Sequence, residues 1–526
     1  MVRLRAPETL AELIPRAAAA SASSIGLVGE TERLSWSDID RRTRRLAARL
    51  VRDGVGRGDR VAVVRPKSNE SFESVHAILR AGGVVVPIDP SAPPVVARGL
   101  LADADVSAVI GESRNVGTID PWSVRRDGLD CVIVTGDATD ARVVAWGDVI
   151  NDEELDDVVL PAVDPDDTAY LIFTSGSTGR PKGIEHTHRS GLAYALAAVE
   201  AHGVGSDDRV AGMSPLHFDM STFELYAAPL AGARVVTMSE AVLRFPASFT
   251  ERSEREGVTI WYTVPFLLRQ VTDRGALDRR DLSALRSVMY GGEPYPASAL
   301  GSLIGALDHV QVTNVYGPAE VNECTFHVVD RARPVDEQPI GGPWKAAEMR
   351  IVDEWGREVE PGQPGELEVS ATTVMRGYWK RPELTAQVLR ERTDGPPWYA
   401  TGDIVVRDGA GMLWFRGRRD HQVKIRGVRL ELEAIESVLA DAPGVAHAVA
   451  APSEPNGDAD QIVAAVVPLA AARLDLDEVR QWCRERLPSV AVPRHIAIWQ
   501  EFPATSSGKI DRARVRTGII GEAVAG

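Results

Sequence analysis

The sequence has few cysteines and no long hydrophobic run. Its 526 residues include three cysteines, Cys131, Cys324 and Cys483, which lie far apart along the chain. They form neither a CxxC metal motif nor a disulfide framework, so we expect a reducing compartment. No apolar run reaches the roughly 18 residues of a membrane-spanning helix. The first residues, MVRLRAPETL, lack the apolar centre of a signal peptide. We therefore expect a cytoplasmic protein without a membrane partner.

Positive charge is also scarce. The chain has 59 Lys and Arg against 75 Asp and Glu, which gives a net charge of -16. Binding to nucleic-acid phosphates requires a basic surface, so we expect no nucleic-acid partner. Hydrophobic residues make up 44% of the chain, as in soluble globular proteins. A chain of this length exceeds one compact core, and we expect two or more domains.

Strand-like and helix-like patterns alternate along most of the chain. DRVAVV (59–64) has the composition of a buried strand, and ESFESVHAILRAG (70–82) that of a helix ending at glycine. Such alternation predicts parallel sheets covered by helices. Further on, DIVVRDGAGMLWFRGR (403–418) predicts a hairpin around a glycine turn. From about residue 420 a helix at LEAIESVLA (432–440) and further strands predict a small α+β domain.

The segment LIFTSGSTGRPKG (171–183) is rich in glycine and hydroxyl side chains. It follows a predicted strand and precedes a helical pattern. Such a loop lets successive backbone N–H groups point at one anion. Hydroxyl groups and one cation add further donors for a polyphosphate: Thr174, Ser175, Ser177, Thr178 and Lys182. The spacing differs from the Walker motif G-x-x-x-x-G-K-[ST]. A solvent-exposed surface loop is the alternative interpretation.

Further motifs follow this loop in a characteristic order: NVYGPAE (314–320), YATGDI (399–404), GRRDHQVKIRG (417–427) and GKIDR (508–512). With FTSGSTGRPKG, they make the chain resemble the adenylate-forming superfamily nearly end to end. That superfamily includes acyl-CoA synthetases, luciferases and the adenylation domains of nonribosomal peptide synthetases. The amino-acid adenylation branch is the most similar one.

The resemblance implies a two-step reaction that uses ATP and Mg²⁺. A carboxylate attacks the α-phosphate and forms an acyl-adenylate, and a phosphopantetheine thiol of a carrier protein then attacks the adenylate. It also implies a fold with a large N-terminal part, 1–419, of helix-covered β-sheets and a distorted β-barrel. A small, mobile α+β part, 420–526, would carry Lys509. We expect a free-standing amino-acid ligase of nonribosomal peptide or polyketide biosynthesis that loads a separate carrier protein.

The resemblance also implies roles for individual residues. The catalytic residues would be Thr174, Glu320 and Lys509, with Glu320 holding Mg²⁺ and Lys509 bridging the carboxylate and the α-phosphate. Tyr316 would stack on adenine and Asp403 would bind the ribose hydroxyls. The full set of implied nucleotide contacts is Thr174, Ser175, Gly176, Ser177, Thr178, Gly179, Lys182, Gly291, Gly292, Asn314, Tyr316, Gly317, Asp403, Arg418 and Lys509.

A rotation of the small domain between the two steps is a further implication. Asp420 matches the hinge of this family, and Lys424 and Gly427 match the segment beside the pantetheine tunnel. The chain departs from the family pattern at Ala319, where a threonine usually contacts the α-phosphate.

The segment HFDMSTFELY (217–226) matches the part of the family that binds the amino acid, with Asp219 on the substrate ammonium. The matching pocket positions are Asp219, Met220, Phe223, Tyr262, Met289, Gly291, Val315, Glu323 and Cys324. Tyr262 and Cys324 are similar to residues of free-standing ligases that load proline or non-standard amino acids. With an apolar α-amino acid, whose one ammonium group Asp219 can hold, Glu323 would be a second buried carboxylate without a partner. This favours a β-amino acid, ahead of a basic α-amino acid; a structural Glu323 is the alternative.

Other functions remain open at this stage. An acyl- or aryl-CoA ligase would have no need of Asp219, and a non-catalytic nucleotide-binding relative would not need Lys509, Glu320 and Asp403 together. The two histidines of HTHR (186–189) lack a third ligand, which favours a structural role over a metal site.

Overall fold

A computed structural model describes residues 6–123, 131–136, 143–174, 181–331, 338–345, 347–419, 422–454, 460–469, 474–503 and 512–525. The strands in these ranges are β1 Ile25–Val28, β2 Arg33–Ser35, β3 Arg60–Val64, β4 Val84–Ile88, β5 Val106–Glu112, β6 Cys131–Thr135, β7 Val144–Ala145, β8 Thr168–Thr174, β9 Lys182–Thr187, β10 Arg209–Gly212, β11 Arg234–Thr237, β12 Ile260–Thr263, β13 Ser287–Gly291, β14 Gln311–Tyr316, β15 Thr325–Val328, β16 Gly342–Pro343, β17 Ala347–Val352, β18 Pro364–Ala371, β19 Gly377–Tyr378, β20 Leu389–Arg390, β21 Trp398–Arg407, β22 Leu413–Arg418, β23 Gln422–Ile425, β24 Val428–Glu431, β25 Val445–Pro452, β26 Ile462–Pro468 and β27 His495–Ile498.

The α-helices of the same ranges are α1 Leu13–Ser21, α2 Trp36–Arg52, α3 Asn69–Arg80, α4 Pro94–Ala104, α5 Ser113–Ile119, α6 Trp146–Asn151, α7 His188–His202, α8 Ala228–Ala231, α9 Glu240–Arg244, α10 Pro246–Glu256, α11 Pro265–Arg274, α12 Ala297–Ala306, α13 Pro382–Val388, α14 Leu432–Ala440, α15 Leu476–Arg484 and α16 Arg512–Ala525. A π-helical segment, Phe223–Ala227, precedes α8. None of these helices has the length and hydrophobicity that crossing a bilayer requires.

Two large sheets form the N-terminal part. One has the order β19-β9-β8-β4-β3-β5-β6-β7, and the other has the order β16-β15-β14-β13-β12-β10-β11-β1-β2. Neighbouring strands are parallel in the middle of each sheet, for example β3 with β4 and β13 with β14. The continuous apolar run of β4, VVVPI, is buried throughout, as expected for a strand covered on both faces. The predicted helix-covered parallel sheets are confirmed.

A third, antiparallel sheet has the order β17-β18-β21-β20, and β22 pairs with β21. It contains the predicted hairpin, in which Asp403 lies opposite Arg418. This curved sheet is the distorted barrel that the resemblance implies.

The C-terminal part is a small α+β unit. The hairpin β23–β24 is followed by the sheet β25-β26-β27, which packs against the helices. Its core contains Ile435, Leu439, Val466, Val479 and Ile496. The predicted fold class is thus confirmed, with a large and a small part. The boundary between residues 419 and 420 stays a prediction, because 420 and 421 lie outside the described residues.

The predicted strand before the glycine-rich loop is β8, and the helical pattern after it is α7, with one further strand in between. The chain returns along β8 as the antiparallel strand β9, with Thr174 opposite Lys182. Helix α7 begins only at His188, where Thr187 caps it. A six-residue strand spans about 20 Å, so the N-terminus of α7 lies about that far from Lys182. Buried Ile184 and His186 hold β9 in the sheet.

Candidate active site

A cavity of about 1880 Å³ lies at the carboxyl ends of β13 and β14. Parallel sheets commonly bind ligands at this edge. The hairpins β21–β22 and β23–β24 complete its wall, so that both parts of the chain line it. The cavity brings together predicted nucleotide-binding residues that are far apart in sequence: Thr174, Gly292, Asn314, Tyr316, Gly317, Asp403 and Arg418.

Two glycines allow the backbone to pack closely here. A Cβ atom at Gly317 would lie 1.6 Å from the carbonyl oxygen of Asn322, and one at Gly291 would lie 2.5 Å from that of Val315. Any larger residue would displace the turn that carries Glu320 or separate β13 from β14. These glycines are therefore required by the packing around the cavity.

Tyr316, Asp403 and Arg418 form one hydrogen-bonded cluster. The Tyr316 hydroxyl donates to Asp403 Oδ2 over 2.5 Å. Arg418 donates to the other carboxylate oxygen of Asp403, and also to the carbonyl oxygen of Thr401. Asp403 is 5% exposed and lies at the cavity wall. The cluster thus presents an aromatic ring, a carboxylate and a guanidinium group side by side. Asn314, another predicted nucleotide contact, is not part of this cluster. Its side-chain amide donates to the carbonyl oxygen of Pro339.

Lys182 lies at the end of the glycine-rich loop and points towards Glu320. Its Nζ lies 4.0 Å from Glu320 Oε1 and 3.4 Å from the Tyr378 hydroxyl. The Thr174 hydroxyl is buried without a hydrogen-bond partner among the described residues. The remaining predicted loop contacts lie outside the described residues, namely Ser175, Gly176, Ser177, Thr178 and Gly179.

Glu320 is fully buried and saturated with donors. Arg429 Nη1 donates to both carboxylate oxygens, at 2.9 and 3.2 Å, and the Tyr378 hydroxyl donates to Oε1 over 2.7 Å. Burial alone would raise the pKa of Glu320, but Arg429, Lys182 and Tyr378 outweigh it and lower the pKa to about 2. The side chain is therefore an anion at neutral pH.

The donor set suits magnesium only in part. Mg²⁺ in nucleotide sites usually takes one or two carboxylates, with phosphate and water oxygens supplying the rest. Glu320 offers such a carboxylate, but Arg429 and Tyr378 engage it in this domain arrangement. The described residues contain no group of three or more acidic, His or Cys side chains that would hold a metal by themselves.

The β23–β24 hairpin enters the cavity from the C-terminal part. The Gly427 amide donates to Glu293 Oε2 over 2.9 Å, and Glu293 Oε1 accepts from the Phe266 amide over 2.8 Å. Gly427 has a φ of +78°, and a Cβ there would lie 2.4 Å from Val264 Cγ1. Burial lowers the pKa of Lys424, and the negative charge of Asp403 partly offsets this. Lys509 and Asp420 lie outside the described residues.

Five of the nine predicted amino-acid positions line the cavity: Asp219, Met220, Tyr262, Val315 and Glu323. Within the described part of the chain, the other four lie behind this wall: Phe223, Met289, Gly291 and Cys324. Asp219 Oδ1 accepts from the Met220 amide over 3.0 Å. Burial raises the pKa of Asp219, and nearby Lys424 counteracts the rise.

The expectation that Glu323 has no protein partner is wrong. His202, the last residue of α7, places its Nε2 2.7 Å from Glu323 Oε1. Both side chains are 2% exposed. The two residues are 121 positions apart, so no local sequence pattern predicts their contact. Tyr194 of α7 and Thr222, three positions after Asp219, also line the cavity and were not predicted.

Ala319 lines the cavity. Its carbonyl oxygen accepts from His186 Nε2 over 2.9 Å, and His186 stacks on Tyr170 with ring centroids 4.9 Å apart. Burial lowers the pKa of His186 to about 4. This neutral histidine positions the turn that precedes Glu320.

The chain is similar to several characterised proteins over nearly its whole length. It is 33% identical to an L-proline--[L-prolyl-carrier protein] ligase of Streptomyces coelicolor, covering 92% of this chain and 91% of the relative. A ligase of the same name from Pseudomonas fluorescens is 30% identical, with 92% and 94% covered. The amide bond synthetase McbA from Marinactinospora thermotolerans has a similar structure, with a TM-score of 0.86 and 27% identity, covering 97% of this chain and 99% of that chain.

The sequence profile described as AMP-binding enzyme matches residues 14–379. The profile of the AMP-binding enzyme C-terminal domain matches residues 434–509. Both parts of the fold are thus those of one family. The chain belongs to the AMP-binding enzymes and is an adenylate-forming ligase.

Proposed function

We propose that this protein activates an amino acid as its aminoacyl-adenylate and transfers it to the phosphopantetheine thiol of a separate carrier protein. The observation that carries the proposal is Asp219, a half-buried carboxylate that lines the cavity and whose pKa burial raises. An enclosed carboxylate is costly unless a cation pairs with it. The ammonium group of an amino acid supplies a cation directly, whereas a fatty or aryl acid leaves Asp219 with only the positive charges of Lys424 and Arg429 nearby.

The other end of the cavity suits ATP. Tyr316 offers a ring for adenine, and Asp403 offers a carboxylate for ribose hydroxyls beside Arg418. Thr174 and Lys182 flank the loop 175–180, which we propose holds the departing phosphates. We assign Mg²⁺ to Glu320 in the arrangement that forms the adenylate, and we assign to Lys509 the stabilisation of charge on the α-phosphate.

Two arrangements of the small domain follow from this assignment. In the present one Lys424, Gly427 and Arg429 line the cavity, and Arg429 engages Glu320. We propose that it serves thiol transfer, and that rotation about Asp420 brings in Lys509 for adenylation. The docking of Gly427 on Glu293 supports this proposal, because the contact depends on the absence of a side chain.

For the substrate we propose a β-amino acid, whose ammonium lies one carbon deeper in the pocket than that of an α-amino acid. Glu323 lines the same cavity as Asp219 and supplies a second carboxylate. Proline is the second candidate, because two relatives of similar length are named as L-proline ligases.

Amino-acid-dependent pyrophosphate exchange tests the first step. A panel should contain α- and β-amino acids, proline, and matched carboxylic acids without an amine. We expect exchange with amino acids, and a loss of at least tenfold in kcat/KM for Asp219→Asn. Equal exchange with the amine-free acids would overturn the proposal. The second step is tested by incubating the enzyme with a phosphopantetheinylated carrier protein and measuring the mass of the carrier. An aminoacylated carrier supports thiol transfer, whereas an amide product formed with a free amine would contradict it.

A further inference from the structure

Glu323 has one satisfied oxygen and one open oxygen. Oε1 lies 2.7 Å from His202 Nε2, whereas Oε2 is buried without a hydrogen-bond partner among the described residues. The side chain is 2% exposed, and the residue lines the cavity. A buried carboxylate oxygen without a donor is destabilising, because it has lost its water. The free protein thus carries an unfilled acceptor at the acyl end of the cavity.

His202 is fixed by aromatic side chains on several sides. Phe223, Phe326 and Trp344 meet its ring at angles of 69°, 66° and 78°, with centroids 6.2, 5.6 and 6.5 Å away. Tyr194 in turn stacks on Trp344, with ring centroids 6.0 Å apart. The imidazole therefore has little room to change its orientation. It holds the Glu323 carboxylate in one orientation and leaves Oε2 as the acceptor for something else.

Nearby hydroxyls do not fill this role. Tyr194 and Tyr262 both line the cavity. Burial, and after it the negative charge of Glu323, raises the pKa of each hydroxyl. Both phenols are thus close enough to sense the carboxylate, yet Oε2 accepts no hydrogen bond from them or from any other described residue.

We propose that Glu323 Oε2 accepts a hydrogen bond from an N–H or O–H group of the substrate, and that His202 is the positioning residue for this contact. The inference rests on the proposed amino-acid ligase function and narrows its substrate class. The substrate bears a donor at or beyond its Cβ, which is either a β-ammonium group or a polar side chain. A plain alkyl α-amino acid leaves Oε2 unpaired, and the site selects against it.

Pyrophosphate exchange with matched substrate pairs tests the proposal. One pair is β-alanine and alanine, which differ only in the position of the ammonium group. The other is ornithine and norvaline, which differ by a terminal amine. We expect the wild type to favour the donor-bearing member of at least one pair by about ten- to hundredfold in kcat/KM, as for one hydrogen bond to a charged group. Glu323→Gln should reduce this ratio mainly through KM for the amino acid, with KM for ATP unchanged.

Two His202 variants separate positioning from packing. His202→Phe keeps the ring but removes the donor, and it should reduce the ratio about as far as Glu323→Gln. His202→Gln places an amide donor near the position of Nε2 and should restore part of the ratio. A lower melting temperature with an unchanged ratio would make His202 structural and overturn the positioning role.

The remaining outcomes distinguish this inference from the proposed function. Preference for alanine and norvaline over both donor-bearing partners, or a ratio that Glu323→Gln leaves intact, overturns the donor proposal alone. Exchange that does not depend on an amine at all overturns the amino-acid ligase function. If His202→Phe does not fold, Glu323→Gln alone decides, because its side chain has the shape of the native one.

Discussion

Glu320 and Glu323 lie three positions apart on the same turn, and both are buried, but their surroundings are opposite. Glu320 accepts from Arg429 and Tyr378 and lies 4.0 Å from Lys182. Glu323 has His202 on one oxygen and no hydrogen-bond partner among the described residues on the other. In this domain arrangement Glu320 joins parts of the protein, whereas Glu323 keeps one oxygen available to a ligand.

The backbone of the turn explains this divergence. Gly317 packs against the carbonyl oxygen of Asn322, and Asn322 adopts a φ of +61°, in the left-handed region. The chain therefore folds back between the two glutamates. Glu320 points towards the β23–β24 hairpin and the glycine-rich loop, and Glu323 points towards the end of α7.

The largest expected effect comes from breaking the saturated site. Glu320→Gln leaves Arg429 without its anion, and removal of one partner of a buried ion pair costs about 3–5 kcal/mol. We expect a lower melting temperature or release of the small domain, measured by calorimetry and by small-angle scattering. Glu323→Gln should change both far less. Equal decreases in melting temperature for the two variants would contradict the proposed difference between Glu320 and Glu323.

Lys509→Ala tests the adenylation arrangement. Loss of one contact to the developing charge should lower adenylate formation by about 10²–10³. Transfer from a preformed adenylate to the carrier should persist, because Arg429 and Lys424 line the cavity in the present arrangement. Single-turnover assays of each step measure this, and equal loss of both steps would contradict the assigned role.

Acid titration distinguishes Glu320 from an ordinary glutamate. Its folded-state pKa of about 2 lies below the usual 4.5, so its ionisation stabilises the folded protein. This contribution is complete above pH 5 and is lost as the pH falls from 5 towards 2, by about 3 kcal/mol in all. Urea unfolding of the wild type and of Glu320→Gln at pH 6 and pH 3 should show a smaller pH dependence in the variant. A parallel pH dependence would refute the assignment.

Gly427→Leu should damage thiol transfer more than adenylation, by about tenfold. Its side chain would collide with Val264 and disturb the docking on Glu293. Replacing Asp420 with Pro should have the same selectivity, because proline restricts the backbone at the predicted hinge. Carrier loading and pyrophosphate exchange, measured on the same preparations, supply the ratio. If both variants keep the wild-type ratio of carrier loading to pyrophosphate exchange, the proposal of two domain arrangements is wrong.

The smallest effect is expected from Ala319→Thr. The added hydroxyl supplies one hydrogen bond next to the saturated Glu320, worth roughly 0.5–1.5 kcal/mol. We expect KM for ATP to stay equal or fall, with adenylation at least as fast. A large loss of activity would show that the turn held by His186 has adapted to the methyl group.

Local patterns sufficed for much of the fold. The apolar run of β3, the glycine turn between β21 and β22, and the helical spacing of α14 each predicted the observed element. The helical pattern after the glycine-rich loop also matches α7, but the short strand β9 that precedes α7 was not predicted. The motifs grouped Tyr316, Asp403 and Arg418 correctly into one cluster. Their individual roles stay predictions.

The contacts that sequence reasoning missed depend on tertiary packing. His202 reaches Glu323 across 121 positions, and Arg429 reaches Glu320 across 109. Nothing in the local sequence of a helix end or a short hairpin indicates such a partner. The pocket positions Met289 and Cys324 were assigned by matching alone, and the packing places them behind the cavity wall.

The pair of Glu320 and Arg429 also couples a binding equilibrium to a conformational one. A cation can bind Glu320 only in molecules in which Arg429 has left it. The apparent affinity for that cation is therefore the intrinsic affinity multiplied by the fraction of molecules without the Glu320–Arg429 contact. Linkage is reciprocal, and the same cation shifts the population away from the docked arrangement by an equal free energy. The orientation of the small domain therefore depends on whether Arg429 or a cation is bound to the Glu320 carboxylate.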